Sequence, residues 1–527
     1  MTTYAIVVDL NRCVGCQTCT SACKHANATA PGVQWRKVLD FETGEFPQVK
    51  RAFVPVGCMH CDVPSCRDVC PTTATRKRDD GIVTIDYDLC IGCAYCAVAC
   101  PYQARWRVDK PSAAYGGKAM RHEALREDPA RLSVAQKCTL CVDLIDAGRS
   151  RGLVPGVDAG ATPVCVSSCI AGALHMGDLD DPESNVSRLL REKRYFRMHE
   201  ELGNGPNIFY LYDGEIGDVA PPDAVPYVAE PPGLAAVSPR LQTKWDWRAA
   251  ANLVFGGAGS GLMAAAALAA LSGAMVWPAV LLALVLVAVG LTCVWFEIGR
   301  PWRFLNAFLN PWTSWMTREA MAALPFIGFG ALGWLFGSTA FVVLSALSGL
   351  AFLYSQGRIL RAAKGIPVWR QPELVPLMVS TGLAEGAGAL AAVTALPGVG
   401  APQPTLLAAA LAGLVLLRLG LWMRFRRALA GEGAPTGTFA AFNRLKIGLS
   451  PLSQVVIALL AVAAAVTFAA QAELLGLAGL GTVLTGWTFK YTLITRAAFD
   501  QGFALNRMPA RGAGKSSEGI KPGWQRA

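Results

Sequence analysis

Sixteen of the 17 cysteines lie before residue 170, and their spacing repeats. Most neighbours within a group are separated by two to four residues, and a proline directly follows the second and third groups. The groups are Cys13, Cys16, Cys19 and Cys23; Cys58, Cys61, Cys66 and Cys70; Cys90, Cys93, Cys96 and Cys100; and Cys138, Cys141, Cys165 and Cys169. Three thiolates on one tight loop can hold three corners of an iron–sulfur cube, while a fourth cysteine opening a helix reaches a neighbouring cube. The spacing therefore predicts paired iron–sulfur clusters.

Structural zinc and disulfide bonds are the alternatives for so many cysteines. Zinc takes four ligands, commonly from two Cys-x2-Cys pairs, whereas residues 90–100 alone hold four closely spaced thiolates. Disulfides belong to exported proteins, and the first residues show no basic region, cleavage site or twin arginine. We therefore expect iron–sulfur clusters and no zinc. The remaining Cys293 is alone in an apolar segment and is interpreted as a small buried residue.

The composition divides the chain into two different halves. Apolar residues make up 53% and charged residues only 16%, where a soluble protein has about a quarter charged. The first 240 residues contain all five histidines, whereas residues 249–490 are long runs of Ala, Leu, Val and Gly. The net charge of +10 could indicate nucleic-acid binding, but much of it flanks the apolar runs, where it indicates membrane topology. We therefore expect a soluble half, a membrane half and no nucleic-acid partner.

Residues 1–212 resemble the four-cluster iron–sulfur subunit of the dimethyl sulfoxide reductase family of molybdenum enzymes. The resemblance is carried by the four cysteine groups, by Cys-Met-His-Cys at 58–61, by Lys-Cys-Thr-Leu-Cys at 137–141, and by Glu-Leu-Gly and Pro-Asn-Ile-Phe-Tyr-Leu within 201–211. Residues from about 249 to 510 more loosely resemble that family's membrane anchor, through Ile-Gly-Arg-Pro-Trp-Arg-Phe-Leu-Asn at 298–306 and Thr-Ser-Trp-Met-Thr-Arg-Glu at 313–319. The two pieces are usually separate chains, so this chain resembles a natural fusion.

The resemblance implies a fold, a set of cofactors and a partner. The implied fold is an α+β ferredoxin-like domain with four [4Fe–4S] clusters, followed by an all-α eight-helix transmembrane bundle. A separate molybdopterin subunit would carry out substrate chemistry, next to the clusters of the first and fourth cysteine groups. The implied ligand sets are Cys13, Cys16, Cys19 and Cys169; Cys23, Cys138, Cys141 and Cys165; Cys58, Cys61, Cys66 and Cys100; and Cys70, Cys90, Cys93 and Cys96.

Several basic residues lie near these cysteines. His60 is interpreted as a structural or potential-tuning residue rather than a ligand, because its group already has four cysteines. Lys137 and the run Arg76-Lys77-Arg78 could offset cluster charge or dock a partner, although solvated surface charge is the ordinary interpretation.

Hydropathy predicts four regions: a cluster domain at 1–216, a Pro-rich linker at 217–243, a membrane domain at 244–510 and a basic polar tail at 511–527. A spanning helix needs about 20 mostly apolar residues. Because residues 241–527 contain no histidine, a histidine-ligated haem is not expected, and quinone (menaquinone or ubiquinone) is the expected membrane electron carrier. The eight predicted spans are 249–272, 276–296, 319–337, 338–356, 373–396, 404–423, 450–470 and 473–491.

Ionisable residues in the membrane region mark the predicted quinone site. Glu297 ends the second span and is followed by Arg300 and Arg303, while Glu385 lies deep in the fifth span. Related anchors often carry histidine where Glu297 stands. For the arginines, ordinary anchoring at the membrane surface is the alternative. Arg418 and Lys490 are expected to lie near helix ends and to extend their charges to the surface.

The leading hypothesis is an electron-transfer and anchor subunit of a molybdopterin oxidoreductase complex, in contact with membrane lipid and quinone. A free-standing ferredoxin-type donor:quinone oxidoreductase and a mainly structural anchor are the alternatives. Lys and Arg residues fall in alternate loops of the eight-span arrangement. This pattern predicts a multi-pass protein of the cytoplasmic membrane with both termini and the clusters on the cytoplasmic side.

Overall fold

Contacts within the chain define two units. The first comprises Met1–Arg240 together with Asp500–Gln525, and the second begins at Leu241 and runs to Phe499. The computed structural model describes residues 2–43, 46–47, 49–110, 113–114, 116–126, 128–212, 224–225, 237–274, 276–395, 403–445, 448–467, 470–509 and 517–525.

The strands are short, and all but one lie in the first unit. A four-stranded sheet of order β8-β1-β10-β9 forms its centre, with β1 parallel to β10 and Ile6 opposite Ile208. Every residue of β1 is buried because apolar side chains cover both faces of this strand. The strands are β1 Tyr4–Asp9, β2 Arg36–Thr43, β3 Lys50–Gly57, β4 Thr75–Lys77, β5 Val83–Ile85, β6 Trp106–Arg107, β7 Ala135–Gln136, β8 Leu174–Asp178, β9 Tyr195–Phe196, β10 Ile208–Leu211, β11 Ala224–Val225, β12 Ala434–Pro435, β13 Leu505–Met508, β14 Ser517–Pro522 and β15 Trp524–Gln525.

Short helices in the first unit follow the cysteine loops, and long helices make up the second unit. The first-unit helices are α1 Thr18–Asn27, α2 Ser65–Asp68, α3 Tyr95–Val98, α4 Arg121–Arg126, α5 Val142–Arg149, α6 Val164–Ser167 and α7 Asn185–Glu192. The second-unit helices are α8 Trp247–Leu271, α9 Trp277–Trp295, α10 Trp315–Phe336, α11 Thr339–Ala362, α12 Leu374–Thr394, α13 Pro404–Glu432, α14 Thr436–Asn443, α15 Pro451–Val466 and α16 Gln471–Thr495.

By its contacts, the C-terminal segment Asp500–Gln525 belongs to the first unit, while the domain boundaries at 510 and 511 stay a prediction. Phe503 and Leu505 are buried in the same core as Val237, and the Phe503 amide donates to the Val237 carbonyl at 2.8 Å. His199 Nε2 lies 3.1 Å from the Gly502 carbonyl oxygen. Hydropathy does not detect that the C-terminal segment packs on the first unit, because only a few apolar residues make the contact. Most of the predicted linker, residues 217–223 and 226–236, lies outside the described residues.

Within the part of the second unit that the structure describes, six helices, α8 to α13, are long and apolar enough to cross a membrane. The chain is therefore a membrane protein. Helices α15 and α16 lie where the seventh and eighth spans were predicted, but α15 has only 16 residues. Helix α16 has 25 residues and carries Glu473, Lys490 and several threonines, which lower its mean hydropathy. The count of eight spans stays a prediction.

Glycines allow the central helices of the second unit to approach closely. A Cβ added at Gly388 of α12 would lie 2.7 Å from the Gly479 carbonyl oxygen of α16. A Cβ added at Gly386 would overlap the Gly261 backbone of α8. Small residues of this kind let membrane helices pack backbone against backbone. Helices α8, α12 and α16 therefore form the tightly packed centre of this unit.

Candidate functional site

The cysteine loops repeat the same backbone conformation. Gly15 and Gly92 precede the second cysteine of their loops, and both have φ of +71°. Two residues later, Gln17 and Ala94 are left-handed, with φ of 61° and 58°, and each immediately precedes a helix. Glycine is the residue that adopts a positive φ without strain. Each loop thus curls tightly around its cysteines before the helix begins.

Three cavities in the first unit are each lined by four cysteines. The empty space in each, open solvent included, is about 330, 320 and 330 Å³, so they could hold the same kind of group. In each cavity, three cysteines come from one group and the fourth from another group of the sequence. The cysteines are Cys58, Cys61, Cys66 and Cys100 in the first cavity; Cys70, Cys90, Cys93 and Cys96 in the second; and Cys13, Cys16, Cys19 and Cys169 in the third.

The remaining cysteines form a fourth set. Burial raises the pKa of the Cys23 thiol, and nearby Cys138, Cys165 and Cys141 raise it further. Burial likewise raises the pKa of Cys141 to about 12, with Cys138 and Cys165 again adjacent. We name the four sets A to D. Set A comprises Cys13, Cys16, Cys19 and Cys169; set B comprises Cys23, Cys138, Cys141 and Cys165; set C comprises Cys58, Cys61, Cys66 and Cys100; and set D comprises Cys70, Cys90, Cys93 and Cys96. They have the same membership as the ligand sets implied by the resemblance.

The donor atoms in these sets suit an iron–sulfur cluster. Every set offers four thiols, and among the seventeen cysteines, all of them within the described residues, Cys16 alone is exposed. Burial raises the pKa of Cys96 to about 12 and of Cys100 to about 11, so cluster binding would release protons. Backbone amides also donate to sulfur, from Leu140 to Cys138 at 3.4 Å and from Ala173 to Cys169 at 3.3 Å. Such bonds stabilise thiolate ligands and tune their potential.

Buried cations lie at the junctions between the sets. Arg36 is buried, and its three nitrogens have no hydrogen-bond partner among the described residues. Burial by itself would lower the pKa of Arg36, but the Cys165 and Cys138 thiols of set B and Cys19 of set A raise it. The guanidinium group of Arg36 thus makes no hydrogen bond to a neutral group and lies beside two sets of thiols. It is suited to offset the negative charge of a group bound in each set. Arg36 therefore joins sets A and B.

Buried basic side chains also lie at the other two junctions, between sets C and D and between sets B and C. Arg105 is buried and donates to the Cys66 sulfur of set C at 2.9 Å, and its other neighbours include Cys96 of set D. His60 lies between Cys58 of set C and Cys138 of set B, and its Nδ1 accepts from the Val83 amide at 3.0 Å. Lys137, also buried here, donates to the Val83 and Cys138 carbonyls. The cations thus connect the sets in the order A, B, C, D.

Sequence reasoning singled out His60 and Lys137 but missed Arg36 and Arg105. Both arginines lie outside the cysteine spacing, Arg36 at the start of β2 and Arg105 just before β6. Their position next to a tryptophan, in Gln-Trp-Arg and Gln-Ala-Arg-Trp, was the available signal. By contrast, Arg76 and Arg78 are at the surface, where Arg78 pairs with Asp146 at 2.7 Å.

Three of the predicted quinone-site residues lie together in the second unit. Glu297 is buried directly after α9, and its Oε1 accepts from the Asp246 amide at 3.3 Å. Arg300 and Arg303 follow on one 3₁₀ turn and are half-buried. The same turn exposes Trp302, 85% accessible, as expected for an aromatic residue facing the membrane interface.

Glu385 belongs to a different group of residues. It is fully buried in α12, and its Oε2 pairs with Lys490 Nζ at 2.6 Å. Arg418 is also fully buried, bonded to Gln454 Oε1 and to the Thr482 carbonyl. The prediction that Arg418 and Lys490 extend to the surface is wrong. Arg418 lies midway along α13, too far from either end, and Lys490 turns inward because Glu385 neutralises its charge.

Comparison with known proteins agrees with the cysteine geometry. The family model described as a 4Fe-4S dicluster domain matches residues 49–116. A selenate reductase subunit of Mesobacillus selenatarsenatis is 40% identical over 224 residues, covering 40% of this chain and 71% of the relative. A putative dimethyl sulfoxide reductase iron-sulfur subunit of Halobacterium salinarum is 36% identical, covering 42% and 83%. A sulfite dehydrogenase subunit of Allochromatium vinosum is 38% identical, covering 40% and 83%.

These relatives match about two-fifths of the chain, and the helical unit with its six apolar helices fits a fused membrane anchor. The matched family model and the thiol sets together make this an electron-transport protein that carries 4Fe–4S clusters. The chain belongs to the iron–sulfur subunits of the dimethyl sulfoxide reductase family.

Proposed function

We propose that the chain is the electron-transfer and membrane-anchor subunit of a molybdopterin oxidoreductase complex, passing electrons between a separate catalytic subunit and membrane quinone. The observation that carries the proposal is the series of four neighbouring thiol sets with a buried basic side chain at each junction. The names of the relatives, which are subunits of a selenate reductase and of a sulfite dehydrogenase, support a catalytic partner.

We assign one [4Fe–4S] cluster to each of sets A to D, four in all. When bound, each cluster supplies a one-electron redox centre. The residues of the chain would hold these centres largely away from solvent, in the order A, B, C, D along the basic side chains between them. An added electron makes a set more negative, so Arg36, Lys137 with His60, and Arg105 each stabilise the reduced state on both sides of a junction.

Removing the cation between sets C and D tests this role. The Arg105→Gln change should lower the reduction potential of the adjacent clusters, by about 60 mV for each ~1.4 kcal/mol of attraction lost. The potentials are measured by redox titration followed by electron paramagnetic resonance. Arg76→Gln removes the same charge from the surface and is the matched control. Equal potentials in the two variants would contradict a tuning role for Arg105.

The quinone site is proposed at the end of the second unit where α8 begins, which we call the α8 end. Glu297, Arg300 and Arg303 would bind the quinone head group there, and the exposed Trp302 would face the lipid. A carboxyl group near a quinone oxygen can transfer the proton that accompanies the electron. Glu385 would serve the same reaction through proton transfer. No haem is proposed, and all eight long helices, α15 and α16 included, are proposed to span the membrane.

The acid at the quinone site gives a second test. Glu297→Gln keeps the size of the side chain but removes the proton donor, so quinone-linked turnover should fall by about 100-fold. Electron exchange between the clusters and an artificial dye should stay at the wild-type rate. Both rates are measured on the same preparation. Unchanged quinone turnover would assign Glu297 to the helix end alone.

Co-purification tests the partner. A tagged chain expressed from its native chromosome should bring down a large subunit that contains molybdopterin. If the isolated chain instead accepts electrons from a soluble ferredoxin and no molybdenum co-purifies, the free-standing donor:quinone oxidoreductase is correct. Failure of either electron donor to reduce quinone would favour a mainly structural anchor.

A further inference from the structure

A group of polar side chains lies inside the helical unit near the α8 end. Asn252 Nδ2 donates to Glu319 Oε1 at 3.0 Å. Gln356 Nε2 donates to the same carboxyl oxygen at 3.3 Å and to the Asn252 carbonyl at 3.0 Å. All three residues are buried, and they come from α8, α10 and α11. The Glu319 carboxyl group is thereby held by two neutral amides and has no basic hydrogen-bond partner among the described residues.

The Glu385–Lys490 pair continues this group deeper into the bundle. A Cβ added at Gly257 would overlap Lys490 Nζ and would lie 3.5 Å from Gln356 Oε1. The ammonium and the amide therefore line the same gap beside Gly257. A Cβ at Gly486 would likewise overlap Glu385 Oε1. Two glycines thus leave room for the ion pair.

The polar group ends near the middle of the bundle. Glu385 lies eleven residues into α12, about 16 Å along the helix, and Arg418 is close enough to interact with it electrostatically. Beyond this depth, residues 258–271 of α8 and 386–394 of α12 contain no charged side chain. Close glycine packing between α12 and α16 fills that half.

Stability alone gives a weak account of these charges. Ionisable groups inside a membrane are costly, and well-packed apolar residues of similar volume often replace a buried ion pair without loss of stability. Three oxygens of the group also lack a hydrogen-bond donor among the described residues: Asn252 Oδ1, Gln356 Oε1 and Glu385 Oε1. Such oxygens can accept a hydrogen bond from water or a passing proton carrier.

We propose that Glu319, Lys490 and Glu385 form a proton-transfer path between the α8 end and the interior of the helical unit. The inference rests on the proposed quinone exchange. A quinone that gains two electrons also gains two protons and becomes quinol, and oxidation releases them. The electrons pass by way of the cysteine sets. One of the two protons comes from the Glu319 carboxyl group and the other from the Lys490–Glu385 pair, and water at the α8 end then returns one proton to each, so that the group recovers its starting protonation state. Asn252 and Gln356 position the Glu319 carboxyl group.

The experiment uses the full chain in liposomes, with dithionite as electron donor and a short-chain quinone as acceptor. The double change Glu385→Met and Lys490→Met removes both charges together and keeps apolar volume, so the bundle can fold. Iron content and cluster spectra verify folding. Quinone reduction should fall by about 100-fold, as for loss of a proton-transfer group. A small permeant acid such as hydrazoic acid should restore part of the rate. Glu473→Gln, an exposed carboxyl at the other end of α16, is the matched control.

Infrared difference spectra give a second readout. Quinone reduction in the wild-type chain should produce a carboxyl C=O band that shifts in D2O and is missing in Glu385→Gln. A folded double variant with the wild-type rate would overturn the path. A slow variant that no small acid rescues, together with no carboxyl band in the wild type, would make the pair structural and also overturn it. A wild-type chain that reduces no quinone would instead overturn the proposed quinone exchange, and the path with it.

Discussion

Anaerobically purified protein is expected to contain about 16 iron atoms per chain and no zinc. Each of sets A to D offers four thiols, all buried or partly buried except that of the exposed Cys16 in set A, and a [4Fe–4S] cluster contains four iron atoms. Iron, zinc and acid-labile sulfide are measured on the same sample, and sulfide should equal iron. About eight iron atoms would mean that only two sets bind clusters. The matched dicluster model, at residues 49–116, contains cysteines of sets C and D alone.

A single cysteine change distinguishes the sets from one another. Cys93→Ser should remove the cluster of set D, leave about 12 iron atoms, and abolish quinone-linked turnover while the other clusters assemble. Loss of all iron would show instead that the sets fold as one. Cys293→Ser is the matched control, because Cys293 is half-buried in α9 and belongs to none of the sets.

The cluster domain was largely predictable because its chemistry is local in sequence. Spacing such as Cys90, Cys93 and Cys96 places three sulfurs on one loop, whatever the rest of the chain does. The fourth cysteine of each set comes from a distant part of the sequence. Nothing in the spacing indicates that Cys70 belongs with Cys93, and only the resemblance implied that grouping. Arg36 and Arg105 were missed for the same reason. Their roles arise when the fold brings a strand beside two thiol sets.

In the membrane domain, hydropathy located the helices but misplaced their charges. Positions along a helix suggested that Lys490 would reach the surface, since it lies five residues before the end of α16. Its direction is set by Glu385 on another helix and by the space that Gly257 leaves. Glu319 received no role because its carboxyl group meets Asn252 and Gln356 only after three helices pack together. Contacts between side chains of different helices leave no repeating pattern in the sequence, so hydropathy cannot predict them.

The orientation of the helices is expected to follow the distribution of basic residues. Cytoplasmic loops near the membrane are enriched in Lys and Arg. Counted along the sequence, the loops after α8, α10, α12 and α15 contain none, whereas the segments on the other side contain many. These are Arg240, Lys244 and Arg248; Arg300, Arg303 and Arg318; Arg358, Arg361, Lys364 and Arg370; Arg424, Arg426, Arg427, Arg444 and Lys446; and Arg496, Arg507, Arg511, Lys515, Lys521 and Arg526. Both termini and the cluster domain should therefore be cytoplasmic.

Reporter fusions at several points test the orientation and the helix count together. A fluorescent protein or alkaline phosphatase is joined after Ala395, after Arg444, after Thr467 and at the C-terminus. The fusions after Arg444 and at the C-terminus should fluoresce without phosphatase activity, and the other two should show phosphatase activity without fluorescence. If α15 does not span, the fusion after Thr467 will fluoresce. The reverse pattern at every point would place the clusters outside, against the charge rule.

A cytoplasmic cluster domain requires a cytoplasmic catalytic partner, so a substrate handled inside the cell, such as sulfite or an acyl-CoA, would be favoured over one reduced in the periplasm.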